Sequence, residues 1–320
     1  MQRLILIGMI LMLTAGCGDP APRVSGEVLQ TPAEVEVVRF DRIFDSVQPA
    51  DLPRVKKQFP YLFPEQFADS VWLLKKSDTL QQQLRDEVHR AFPDFDPYQA
   101  DLELFFKHAK YHFPASPVPR VITLTTDVDY ENRVVLADTL LLTGLDSYLG
   151  PGHPFYGNLS RYIAAALDPA LLVSDVGSAF GRKVIPPPAS RSFIAQMVYY
   201  GKGLYLKDRL MPLAPDSVKI GYSDAQLQWA RANESQIWRY FIERELLYST
   251  DKDLAGRFLD PAPFSKFRLV LDNESPGRIG RYMGWQIVRS FMENNDMGLQ
   301  EMLELPGETL FRRSKYKPPK

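Results

Sequence analysis

Two histidines stand four residues apart in His108-Ala109-Lys110-Tyr111-His112, a spacing that puts both imidazoles on one face of a helix. A zinc-peptidase helix has the same ligand spacing, but there a glutamate follows the first histidine and activates the attacking water. Here that position is Ala109, and Pro114 ends the helix just beyond, so the pair reads as packed or surface histidines. His89 and His153 lie in separate segments. Among the carboxylates, Glu234 falls on an apolar stripe of Leu227, Ala230, Ile237, Trp238, Phe241, Ile242 and Leu246. An ionised group there costs free energy unless it is paired. A salt bridge or cap inside the fold is the expected reading, with a ligand or acid/base role as the alternative.

Glycine spacing marks two further helices. Residues 192–210 carry an apolar stripe with Gly201 and Gly203 inside it. Each glycine costs about 1 kcal/mol relative to alanine, so something must approach the backbone closely. In the segment 273–294, Ser275 is placed as N-cap and Pro276 as first helical residue. Gly277, Gly280 and Gly284 then lie along one face, which predicts a packing or partner helix. Arg278 and Arg281 beside the same helix start offer an anion site as the alternative; close packing is the simpler reading.

The elements that must position these residues form a mixed pattern. Helical spacing covers 51–67, 69–91, 97–111, 192–210 and 224–248, while 34–41, 121–125, 134–137 and 140–143 read as strands. A turn at 127–132 suggests a small sheet with at least one hairpin. The fold class is therefore α+β, mainly helical. With 320 residues, 45% hydrophobic, the chain can bury a large core. Its 38 basic and 39 acidic residues nearly cancel, which gives no basic footprint for nucleic acid. Four basic residues in 312–317 read as a solvated tail.

A single cysteine excludes a disulfide framework and a cysteine-rich zinc site. It closes an export signal: a basic start, an apolar run over residues 4–13, then Thr14-Ala15-Gly16-Cys17. Small residues directly before Cys17 resemble a bacterial lipobox. The expected organisation is a signal peptide at 1–16, a lipidated tether at 17–30 and one globular domain at 31–320. Gly18 follows Cys17 and no acidic run comes next, so the body is expected to face the periplasm.

Several motifs occur together in order: Asp127-Val128-Asp129-Tyr130, Gly144-Leu145-Asp146-Ser147-Tyr148-Leu149-Gly150 with His153-Pro154, Lys219-Ile220-Gly221-Tyr222, Pro263-Phe264-Ser265-Lys266-Phe267 and Glu274-Ser275-Pro276-Gly277-Arg278-Ile279-Gly280. With the lipobox they resemble the gliding-motility lipoproteins of the GldB type from Bacteroidetes, over nearly all of the mature chain. The resemblance implies a membrane-anchored, non-enzymatic component of gliding and of the associated protein secretion machinery, with other proteins of that machinery as partners.

A more distant resemblance is to zincin-like metalloproteases. It implies a degenerate version of that architecture, with Tyr199 and Gly203 at the two histidine positions, Tyr200 at the glutamate position and Glu234 as a surviving third ligand. Phenols and a glycine cannot supply that chemistry. Tyr199, Tyr200, Lys202 and Glu234 are thus expected to line a degenerate cleft without metal or cofactor. Two rivals stay open: a hydrolase using Glu234 with Asp146 or His153, and glycan binding by exposed Tyr199, Tyr200 and Trp285.

Overall fold

A computed structural model describes residues 24–270 and 272–319. Cys17, the signal peptide at 1–16 and the first part of the tether lie outside the described residues.

The chain opens with α1 (Gly26–Gln30), β1 (Val37–Arg39), α2 (Phe40–Ser46), α3 (Leu52–Gln58), α4 (Asp69–Ser77), α5 (Thr79–Ala91) and α6 (Asp96–His112). The strands β2 (Arg120–Leu124), β3 (Val134–Leu136) and β4 (Leu140–Gly144) follow. Then come α7 (Arg161–Ala164), α8 (Leu172–Val184), α9 (Phe193–Leu210), α10 (Asp216–Ile220), α11 (Asp224–Ala232) and α12 (Glu234–Glu243). The last elements are α13 (Asp253–Phe258), α14 (Ile279–Asn294), α15 (Leu299–Glu304) and α16 (Gly307–Ser314). This is the mainly helical α+β class that the pattern implies.

The four strands form one sheet in the order β1-β2-β4-β3. β1, β2 and β4 run parallel, with Val121 opposite Val37 and Leu141, while β3 and β4 form an antiparallel hairpin. Both faces are covered, which is why β2 and β4 read as near-continuous apolar runs. Val121 and Leu141 enter the main core; Ile122 faces a smaller core of Phe40, Leu52, Val55, Phe59 and Phe63. The turn at 127–132 does not make the hairpin. It joins β2 to β3, which are not neighbours, and folds over the buried carboxylate of Asp146, which accepts from the amides of Thr126 and Val128 at 2.9 and 2.7 Å.

Several expected boundaries move for identifiable reasons. The tether expected at 17–30 ends in α1, capped by Ser25 and with Val28 buried. The expected helix at 51–67 shortens to α3, followed by a 3₁₀ turn at Pro60–Leu62. The helix read over 69–91 breaks at Asp78, whose side chain caps α5 by accepting from the Gln81 amide. The stripe at 224–248 divides at Asn233, so Glu234 sits in the first turn of α12 rather than mid-helix.

α14 begins at Ile279 and not at Pro276. Arg278 precedes it in a left-handed conformation (φ 61°), and the Ile279 amide donates to Ser265 Oγ at 3.1 Å. The first amide is thus satisfied from fourteen residues away, while Ser275 Oγ ties itself to Ser265 and Asp272. The C-terminal tail also docks. Its four basic side chains are exposed, but Leu310 and Ser314 are buried and Tyr316 packs edge-on against Trp238.

At the centre α9 and α14 cross. A Cβ on Gly201 would lie 2.2 Å from the Gly284 backbone, and one on Gly284 would lie 1.8 Å from Met197 O. Gly280 meets Leu259 and Phe258 of the α13 end. Gly277 stands before the helix, where a Cβ would lie 2.2 Å from Ala262 O. The three glycines do permit close approach, but to three different neighbours rather than along one helix face.

Candidate functional site

Tyr199, Tyr200, Gly203 and Lys207 stand at successive positions on one side of α9, and they face a cavity of about 290 Å³. α8 supplies Ser174, Asp175, Ser178 and Arg182 to the opposite wall, the end of α10 supplies Lys219 to Gly221, and the entry to α14 supplies Arg278 and Arg281. Arg133, just before β3, completes the charged lining. Gly203 keeps this space open: a Cβ there would have no heavy atom nearer than Ile185 Cδ1 at 3.9 Å. The close backbone approach expected at both glycines of α9 therefore holds for Gly201 alone.

Six cationic side chains and one carboxylate line the cavity, in a chain whose charge is nearly balanced. Two cations are paired. Arg133 donates to Asp175 at 2.7 Å, where Tyr148 also donates at 2.9 Å, and Lys219 reaches Asp208 at 3.0 Å. The other four, Arg182, Lys207, Arg278 and Arg281, form no ion pair with a carboxylate among the described residues. Lys207 is deeply buried; its Nζ donates to Ser174 Oγ at 2.8 Å and to Lys219 O at 2.9 Å. Burial pushes its pKa down to about 7. Arg281 donates through Nε to Leu259 O at 2.5 Å and stacks 4.0 Å above the Tyr200 ring. Burial and the neighbouring Arg278 lower its pKa to about 10. Arg278 donates to Gly221 O at 2.9 Å and lies over Tyr222.

The expected cleft of Tyr199, Tyr200, Lys202 and Glu234 is not one place. Tyr199 and Tyr200 line the cavity, but Lys202 points elsewhere and donates to Leu303 O and Leu305 O at 2.7 and 2.6 Å. It caps the end of α15, as Lys207 caps the end of α10, because one central helix can satisfy the last carbonyls of two neighbours. Burial brings Lys202 down to about 8. Glu234 is buried between two phenols, accepting from Tyr282 at 2.6 Å and Tyr316 at 2.7 Å. The pairing expected for it is present, through tyrosines rather than a cation. Burial and this carboxylate push both phenol pKa values far up.

The other residues considered for chemistry are held apart. Asp146 is occupied by the Thr126 and Val128 amides, and burial raises its pKa. His153 contacts Glu87 at 3.3 Å. His108 is buried and His112 is pushed down to about 4 by burial and by Arg209, which leaves both uncharged near neutrality. Trp285 is fully buried and donates to Asp208, so it offers no exposed ring to a glycan. Among the described residues no three or more His, Cys, Asp or Glu side chains are grouped to hold a metal.

Arg278 and Arg281 carried a signal in the sequence, but Lys207, Ser174, Asp175 and Arg182 were missed. The usable clue is periodicity: Tyr199, Gly203 and Lys207 recur every four residues along α9 and so share one side of it.

Fold and cavity together define a helical α+β body around a cationic cavity, with no helix among the described residues long and apolar enough to cross a membrane. A family model described as gliding motility protein GldB matches residues 22–318, and the chain belongs to that family. It is a lipoprotein family of gliding motility, which places the protein in the cell envelope at a membrane. Neither a comparison with curated proteins nor one with solved structures gives a match.

Proposed function

We propose that the protein is a lipid-anchored, non-enzymatic accessory component of the gliding apparatus and its associated secretion machinery, whose cavity binds without cutting. Cys17 carries the lipid, the body faces the periplasm, and other proteins of the machinery are its partners. The observation that carries the non-catalytic reading is the position of Tyr199, Tyr200 and Gly203. On the zincin-like resemblance these occupy the zinc-motif positions, and they line a cavity whose unpaired groups are cations. A cationic wall repels a divalent metal and attracts an anion. Glu234, the residue the resemblance offers as a third ligand, is committed to Tyr282 and Tyr316.

The test is protein purified from membranes without chelator, assayed for zinc and for peptide hydrolysis. Trace zinc and no cleavage support the reading. Near-stoichiometric zinc, lost with peptide cleavage in Glu234→Gln, would overturn it. Cys17→Ser is expected to move the protein out of the membrane fraction; retention there would refute the anchor.

A further inference from the structure

The cavity gathers positive charge that the described residues neutralise only in part: four of its six cations have no carboxylate in ion-pair contact, and Asp175 and Asp260 act on Lys207 and Arg281 from farther away. Lys207 from α9 and Arg278 and Arg281 from the entry to α14 line the same cavity, and each lowers the proton affinity of the others or is lowered by them. Holding like charges together in a partly dehydrated space is unfavourable unless a counter-charge joins them. Arg133 and Lys219 show what compensation looks like in this fold, since each has its carboxylate.

The guanidinium groups also keep donors in reserve. Among the described residues Arg278 uses only Nη2, on Gly221 O, and Arg281 only Nε, on Leu259 O. Each is steadied by an aromatic ring, Tyr222 or Tyr200, so little side-chain freedom is left to lose on binding. The hydroxyls of Tyr199 and Tyr200 have no hydrogen-bond partner among the described residues and border the same space. Both arginines flank the start of α14, sixteen residues long, whose positive end adds to the field.

We propose that this cavity binds a phosphate group, carried by a small ester or by a lipid headgroup, with Arg278 and Arg281 as its clamp and Lys207 at its floor. Several converging cations call for a ligand with more acceptor oxygens than one carboxylate has, and the planar arginine fork matches phosphate geometry. At about 290 Å³ the cavity stands at the small end of ligand pockets, with space for the phosphate and a glycerol- or sugar-sized remainder. The inference rests on the binding role proposed above and names what is bound.

The experiment is calorimetric titration of the full chain in detergent with inorganic phosphate, glycerol 3-phosphate and short-chain phosphatidylglycerol, with acetate for comparison. At least one phosphate compound should bind with Kd below about 1 mM and raise the melting temperature, and acetate should bind more weakly. Arg278→Gln should weaken binding at least about tenfold. Arg182→Glu, at the exposed rim, tests the same field should Arg278→Gln fail to fold. Tighter binding of glycerol 3-phosphate than of the lipid assigns a free ester, and the reverse order assigns a headgroup. Failure of every phosphate compound, equal binding of acetate, or unchanged affinity in both variants overturns the proposal. Release of inorganic phosphate from glycerol 3-phosphate would keep the site and sink the non-catalytic role; loss of gliding in Arg278→Gln without any phosphate binding would do the opposite.

Discussion

Gly201 and Gly203 lie two residues apart on α9 and serve opposite ends. At Gly201 the helix touches α14 backbone to backbone, with no space for a methyl group; at Gly203 the same helix borders a cavity. The pair of helices is thus a dry joint on one side and diverging walls on another. Small residues at the joint bring the helices together, and charged residues at its edge then line the gap. The cationic cluster is held by the joint, since Arg278 and Arg281 enter with α14 and Lys207 with α9.

The largest expected effect is at the joint. Gly284→Leu would drive a side chain into Met197 O and should destabilise by about 3 kcal/mol, the upper end of overpacking costs, in urea unfolding. Exposed Arg312→Ala should stay within about 0.5 kcal/mol. A Gly284→Leu protein as stable as the parent would mean the crossing is misassigned.

The cavity side predicts a pH dependence. The Lys207 pKa falls from 10.5 in the unfolded chain to about 7 in the fold, so between those values the unfolded state holds the proton and the folded state does not. Its burial penalty is fully present below pH 7 and fades as pH rises towards 10.5, at most by about 1.4 kcal/mol per pH unit. Lys207→Met should remove that rise, read as the difference between the two proteins' urea midpoints at pH 7 and pH 9. Parallel curves would show that the lysine is not desolvated.

Tyr282→Phe takes one of two donors from buried Glu234 and should cost about 1 to 3 kcal/mol by thermal unfolding. The smallest effect at the α9 glycine pair has the opposite sign. Gly203→Ala should stabilise the helix by up to about 1 kcal/mol, because its methyl meets nothing closer than 3.9 Å. A loss there like that expected for Gly284→Leu would erase the contrast between the two faces.

Local patterns were legible in the sequence: the apolar stripes of α9 and α12, the β-branched runs of the sheet, and the small residues of the joint. Relations between distant segments were not. That Ser265 rather than Ser275 meets the first amide of α14, or that Tyr316 closes over Glu234, depends on long-range docking that no local spacing encodes. The cleft was half legible for the same reason. Tyr199 and Tyr200 share a side of α9, but Lys202 faces α15, and the partners of Lys207 come from α8 and α10. The two glycines looked alike in sequence because helix propensity penalises both equally, whatever stands opposite.

Gliding of cells whose only copy carries Arg278→Gln and Arg281→Gln together tests the central claim most directly, with protein level and membrane association measured alongside. The account predicts that the variant accumulates, stays with the membrane and fails to support gliding, because the cavity has lost the charge that holds its ligand. Normal gliding with the doubly altered protein would contradict it and leave the cavity without a part in motility.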